Sequence, residues 1–228
     1  STFAVGDISV GNGAMSDFAQ TSTSVYTATF TPTADGATTI DVAGSTFTDA
    51  SGNQNSAATQ FNWLFDSVVP TLGITTIATD GYVSNSEWTN GFTITGAATG
   101  ADGQDVTVTY GGVTDSDTVT VASGAWTVTM CDDEDCSGIT TQGLVAVTAN
   151  VNDAAGNAAV AASGNANQDT VVPTMTITAS QGSDGFTSND ATLSLTFTSS
   201  EATSTFAVGD ISVGNGAMSD FAQTSTSV

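Results

Sequence analysis

The side chains of this sequence that could do chemistry are almost all oxygen donors. Asp66 stands just before Val68-Val69-Pro70, and Asp153 opens the turn Asp153-Ala154-Ala155-Gly156-Asn157. Both patterns recur, as Asp169 before Val171-Val172-Pro173 and as Asp49 in Asp49-Ala50-Ser51-Gly52-Asn53. Asp102, Asp105, Glu201 and Asp210 are further acids near turn residues. Carboxylates, amide oxygens, hydroxyls and carbonyls form the ligand set of Ca²⁺, and not that of zinc, copper or iron. Paired carboxylates could also hydrolyse glycosides, given an acid and a base or nucleophile at a set separation, but nothing in the sequence marks a cleft around any pair.

The missing residue types exclude more chemistry than the acids suggest. The chain has 23 Asp and Glu and no Lys, Arg or His, a formal charge of −23. It therefore lacks a phosphate clamp, a counterion-releasing patch for nucleic acid, a Schiff-base lysine and a histidine base. Lysine-dependent isopeptide cross-links are excluded as well. The sequence reads as no enzyme and no nucleic-acid binder. A charge of this size repels itself and needs screening, by high salt or by bound divalent cations, and both point outside the cell. No apolar run approaches the ~20 residues needed to span a bilayer, so no membrane insertion is expected of this segment.

Cys131 and Cys136 bracket Asp132, Asp133, Glu134 and Asp135. The spacing reads as a disulfide across a hairpin loop, stabilising by ~2 kcal/mol in an oxidising compartment; a metal pair would lack further Cys or His ligands. The four acids in that loop are either a second cation site or a plain solvated run. Asp115, Asp117 and Asp184 read as turn residues.

The elements that must position these groups are strands. Short Thr- and Val-rich runs alternate apolar and polar residues between Gly, Asn and Asp, with no helical periodicity. Tyr26, Ala28 and Phe30 alternate, as do Phe92 and Ile94, then Val106, Val108 and Tyr110, then Leu193, Leu195 and Phe197. Trp126 reads as core, Trp63 lies in an alternating strand, and Trp88 is either strand-edge packing or a sugar-stacking platform.

A repeat sets the larger plan. Ser1–Val25 and Ser204–Val228 are identical, 203 residues apart. That period suits two domains of about 100 residues each. The two Val-Val-Pro-Thr runs, with prolines 103 residues apart, read as linkers. The chain then divides into the later strands of one domain (1–66), a complete domain (67–169) and the opening strands of the next copy of the first (170–228), cut from a longer repeated polypeptide.

In their order and spacing, four motifs resemble the bacterial Ig-like tandem repeats of giant surface adhesins and biofilm proteins. They are the D-A-[SA]-G-N turn, the D-x-V-V-P-T linker, Thr196–Ala202 running into Phe206–Gly216, and Gly124–Met130. The resemblance implies an all-β fold of tandem Ig-like Greek-key β-sandwiches, a stalk role, calcium near the junctions, and anchorage to or secretion from Gram-negative cells. The Cys131–Cys136 loop and the lack of basic residues depart from the commoner pattern.

In such a sandwich the loop between the last two strands lies where the chain enters, beside the loop joining the second and third strands. Asp66, Asp153, Asp102 and Asp105 should therefore share one junction. By the same logic Asp169, Glu201 and Asp210 lie near a turn that this chain carries only as Asp49, one period away. The expectation is Ca²⁺ at each junction, against the plain reading of solvated loop acids.

The functional expectation is a structural repeat of a long extracellular fibre or adhesin stalk at the cell surface, stiffened by calcium. Its partners would be neighbouring repeats of the same chain or filament, with host, surface or matrix glycans at the far end. One rival is a self-assembling filament or sheath, although the 25-residue overlap weighs mildly against strand exchange because two copies would compete for one place. The other is an array of carbohydrate-binding modules.

Overall fold

A computed structural model describes residues 2–115, 119–132 and 135–225. The chain forms two compact units, Ser1–Asp169 and Thr170–Val228.

In the first unit, β1 (Ile8–Gly11), β4 (Gly36–Val42) and β5 (Phe61–Phe65) form an antiparallel sheet with β4 in the middle, while β2 (Gly13–Gln20) and β3 (Tyr26–Pro32) form a hairpin. The hairpin carries a register shift between Ser16 and Ala19, where Asp17 sits at φ 49°. Phe3, Phe18, Tyr26 and Phe47 cluster with Phe3 at the centre, its ring 4.9 Å from Phe47 and 5.0 Å from Tyr26. Burial is shallow here. Among the described residues before Pro70 only Thr38 is buried, and Phe61, Trp63 and Leu64 are 63%, 41% and 72% exposed.

The next stretch builds a deep two-layer core. One layer holds β6 (Thr71–Ile77), β8 (Phe92–Thr99) and β12 (Ala125–Met130), with β8 in the middle. The other runs β10 (Val113–Thr114), β9 (Asp105–Tyr110), β13 (Gly143–Asn150), β14 (Ala162–Asp169) and β7 (Tyr82–Ser84), with β11 (Val119–Thr120) also on β9. Alternation places Phe92, Ile94, Tyr110, Trp126, Val128, Met130 and Val147 between the layers and their Thr neighbours mostly outside. Such alternation is what a half-buried strand requires.

The chain changes layer within Ala78–Gly81, where Ala78, Thr79 and Gly81 take φ of 47°, 58° and 83°. That turn aims the chain from β6, antiparallel to β8, into β7, parallel to β14. A short helix, α1 (Asn85–Asn90), follows, although the sequence shows no helical period. Its signal is instead a capping box: Ser84 accepts from the Glu87 backbone N–H, and the Glu87 carboxylate accepts from the Ser84 backbone N–H at 2.9 Å. Trp88 lies on this helix, half-buried against the core, so its packing site is a helix and not a strand edge.

Two contacts close the layers tightly. A Cβ on Gly96 would lie 2.1 Å from the Gly73 carbonyl oxygen and 2.2 Å from the Trp126 ring, so only glycine lets the indole cross β8. The buried Tyr110 hydroxyl donates to Gln168 Oε1 at 2.7 Å, and burial pushes its pKa up to about 12. At the end of β12, Cys131 and Cys136 are both buried and joined in a disulfide, their Cα atoms 5.0 Å apart.

The second unit contains an antiparallel pair, β15 (Met175–Ala179) and β16 (Leu195–Ser199), with Ile177 opposite Phe197. Residues 204–225 form no strand; their one regular element is a 3₁₀ turn, Val208–Asp210.

Candidate junction site

The D-A-[SA]-G-N turn builds itself around its aspartate. Asp153 Oδ1 accepts the backbone N–H groups of Ala155 and Asn157 at 2.9 and 2.8 Å, and Oδ2 accepts the Asn157 side-chain amide at 2.8 Å. Asp49 repeats this with Ser51 and Asn53 at 2.9, 2.8 and 2.8 Å. Gly156 and Gly52, at φ 93° and 85°, let each turn close.

Both carboxyls are held below their ordinary pKa of 3.8, first by the Asn side-chain amide and then by backbone N–H groups, while desolvation pulls the other way. Asp153 is only 5% exposed. A buried carboxylate needs such donors to stay ionised.

The turn also grips the linker. The Asn157 amide donates a second hydrogen bond, 3.0 Å long, to the backbone carbonyl of Asp66. One residue on, Ser67 Oγ donates to Asp35 Oδ1 at 2.9 Å, and the Ser67 backbone N–H donates to the same oxygen. Asp66 Oδ1 accepts from the Val68 N–H at 3.0 Å, which bends the linker locally. The connection between β5 and β6 is thus fastened from both sides, by Asp35 in the β3–β4 turn and by Asn157 in the β13–β14 connection.

The structure therefore brings Asp66 and the Asp153 turn together, with Asn157 between them. It ties Asp102 Oδ1 to the Gly124 N–H at 2.7 Å and Asp105 Oδ1 to Thr120 Oγ1 at 3.0 Å. Asp169 ends β14 opposite Ser84. Asp210 caps its own 3₁₀ turn, accepting from the Ala207 N–H at 2.9 Å. Glu201 has one carboxylate oxygen buried without a hydrogen-bond partner. Asp117, Asp133 and Glu134 lie outside the described residues, so the acidic run in the disulfide loop is only partly placed. Among the described residues, no three Asp, Glu or Cys side chains gather closely enough to hold a metal.

In donor type the junction suits a hard cation, since the Asp66 and Asp153 carboxylates and the Asp66 carbonyl all offer oxygen. Several of those lone pairs are already engaged by N–H donors. Neither Asp35 nor the grip of Asn157 on the linker is marked in the sequence, because the linker atoms they hold lie 32 and 91 positions away along the chain. The signal for Asn157 was present: Asn closes the turn motif in both copies.

The two facing layers make this an all-β Ig-like sandwich architecture. Residues 1–64 match the family model of the bacterial Ig-like domain. Comparison with curated proteins finds no match. Among solved structures, a bacterial immunoglobulin-like domain from the M. primoryensis ice-binding adhesin is 29% identical over 43% of this chain and 96% of its own, with a TM-score of 0.31. A structure described as a Ca²⁺-stabilized adhesin that helps an Antarctic bacterium reach out and bind ice is 26% identical, with a TM-score of 0.34. It is matched over 67% of this chain, which spans 38% of that one. The fibronectin(III)-like modules of Clostridium thermocellum CbhA are 14% identical over 64% of this chain and 70% of their own, with a TM-score of 0.34.

Proposed function

We propose that this chain is a structural segment of a long extracellular fibre or adhesin stalk, in which Ig-like sandwiches follow one another and junctions resist bending. Its domain plan is 1–66, 67–169 and 170–228. The observation that carries this reading is the doubly fastened linker, with Ser67 held by Asp35 and Asp66 held by Asn157. A free linker would keep hinge motion, and each contact removes some of it. The match of residues 1–64 to the bacterial Ig-like family supports the same reading.

Calcium is the second part of the proposal. Asp66 and Asp153 would hold it, and it would supply a bridge between linker and turn and offset part of the −23 charge. The disulfide fits an oxidising, extracellular setting. Reach is the function here, and no catalytic step is required. The glycan-binding alternative loses its best platform, because Trp88 packs against the core.

The test is thermal unfolding of the chain with saturating Ca²⁺ and with a chelator, with particle length followed by small-angle scattering. Calcium at 100 times its Kd would add about 2.7 kcal/mol, or about 10 °C or more in a domain of this size, with a longer, straighter particle. No change in either quantity would remove calcium from the proposal and leave salt as the screening agent.

A further inference from the structure

We propose that the cleft where β6 gives way to β7 is a binding site for a neutral oligosaccharide. The inference adds a ligand to the stalk reading and does not rest on it.

The cleft is a consequence of the layer switch. Strand β7 pairs with β14 only over Asn167–Asp169, so among the described residues the β14 edge from Ala162 to Ala166 has no strand beside it. Strand β6 lies in the other layer. Between the two is an open cavity of about 380 Å³, lined by Ile74, Thr75, Thr79, Asp80, Ser163 and Asn165 among others. Small-ligand sites span about 300–1,000 Å³.

The floor is apolar and the walls are polar. A Cβ on Gly164 would fall 3.1 Å from Ile77 Cδ1 and 3.9 Å from Ile74 Cδ1, so glycine there keeps space open above the two isoleucines. The register shift of β6 between Ile74 and Thr76 puts Thr75 outside the pairing with β8 and leaves it exposed. Ser163 and Asn165 are exposed on β14, between the buried Ala162 and Ala166. Asp80 Oδ1 accepts from the Tyr82 backbone N–H at 2.9 Å, which fixes the carboxylate at the rim and leaves Oδ2 to accept from a ligand hydroxyl.

An exposed platform adjoins these groups. Tyr82 pairs with Asn167, the next outward position on β14 after Asn165, and Leu144 pairs with Asn167 from the other side. Tyr82 and Leu144 are 56% and 73% exposed.

Hydroxyls, amides and one carboxylate donate and accept in many directions, and an aromatic ring offers the C–H face of a sugar an apolar surface. That combination suits a polyol. The chain carries −23 with no Lys, Arg or His, so an anionic ligand would meet repulsion and no charged donor. A metal ion would find Asp80 as the only carboxylate lining the cleft. An added peptide strand fits less well, because Thr79, Asp80 and Gly81 stand across the lane beside Ser163–Asn165.

The experiment titrates the full, isotope-labelled chain at low salt with neutral hexasaccharides of glucose, mannose, xylose and N-acetylglucosamine, followed by amide chemical shifts. At least one should give saturable shifts confined to residues 74–82 and 163–167, with a Kd of about 1 mM or tighter. Tyr82→Ala should weaken that binding about tenfold and Asn165→Ala about fivefold, while Tyr82→Phe keeps it within about twofold. Because the Tyr82 side chain is exposed, the melting temperature of these variants should not move, which separates lost binding from lost folding.

No saturable shift with any of the four sugars would overturn the proposal, as would shifts that Tyr82→Ala leaves unchanged. A hexauronate that binds as tightly would overturn the neutral class. A Thr- and Val-rich peptide that shifts these amides where no sugar does would make the cleft a strand-pairing edge instead. All of these results leave the stalk reading standing, since that reading is tested by particle length.

Discussion

Residues 1–25 and 204–228 are the same sequence in two surroundings, and their described parts fold differently. In the first copy Ile8–Gly11 and Gly13–Gln20 are strands, paired with β4 and β3. In the second, the described residues 204–225 contain no strand. What survives in both is local. Asp7 and Asp210 each accept the N–H three residues back, at 2.8 and 2.9 Å, and close nearly superposable 3₁₀ turns. Asp17 and Asp220 share left-handed φ of 49° and 54°. Asn12, however, has φ 57° next to β1, and Asn215 is not among the positive-φ residues. A turn needs only its own neighbours, whereas a strand needs a partner to take up its backbone N–H and C=O groups.

The largest effect should come from giving the second copy its partners. Residues 26–66 appended after Val228 should turn 204–228 into strands, raising amide protection there by orders of magnitude in hydrogen exchange. If those amides stay unprotected, the comparison fails.

A matched pair of substitutions is the next test. A Cβ on Gly13 would fall 2.2 Å from the Phe30 ring and 2.7 Å from the Thr31 carbonyl oxygen, whereas on Gly216 its nearest neighbour is Val213 Cγ1 at 3.7 Å. Gly13→Ala should therefore cost about 1–3 kcal/mol by overpacking, and Gly216→Ala close to nothing, both read from denaturant unfolding.

The two Asp-Asn turns sharpen the contrast between a turn that grips a linker and one that closes only on itself. Asn157→Ala loses the bonds to Asp153 and Asp66, about 1–2 kcal/mol, and should also loosen the particle in scattering. Asn53→Ala, which loses the bond to Asp49, should cost less and leave particle length unchanged.

Acid gives a smaller signal. Asp49 and Asp153 have lowered folded pKa values, so their stabilisation is complete above the ordinary 3.8 and is lost as pH falls from there through the folded values. A melting-temperature series through that range should show the loss, and each Asn→Ala variant should flatten it. Tyr110 acts at the other extreme: with its folded pKa raised from 10.0 to about 12, stability should fall as pH rises between those values. The smallest effect is that of Asp7→Ala and Asp210→Ala, about 0.5 kcal/mol or less in either copy, because the same short turn is lost.

Alternation made the strands of the β6–β14 sandwich legible, and Trp126 is in the core because its neighbours Val128 and Met130 share its face. The period carried no sign of α1, which is too short to display one, and its capping box was the only mark. The layer switch at Ala78–Gly81 was hidden too: Ala78 and Thr79 are ordinary residues held at positive φ by the sheets on either side. At the junction, the turn motif was legible and its grip was not. Asn157 and Asp35 reach linker atoms that lie 91 and 32 positions away along the chain.

What the sequence determined by itself was everything with short range: the Asp-Asn turns, the 3₁₀ caps, the alternation that commits a segment to strand, and a charge that demands screening. Tertiary structure decided which of those segments became strands. The two 25-residue copies carry identical instructions, and among the described residues only the copy followed by β3, β4 and β5 forms strands.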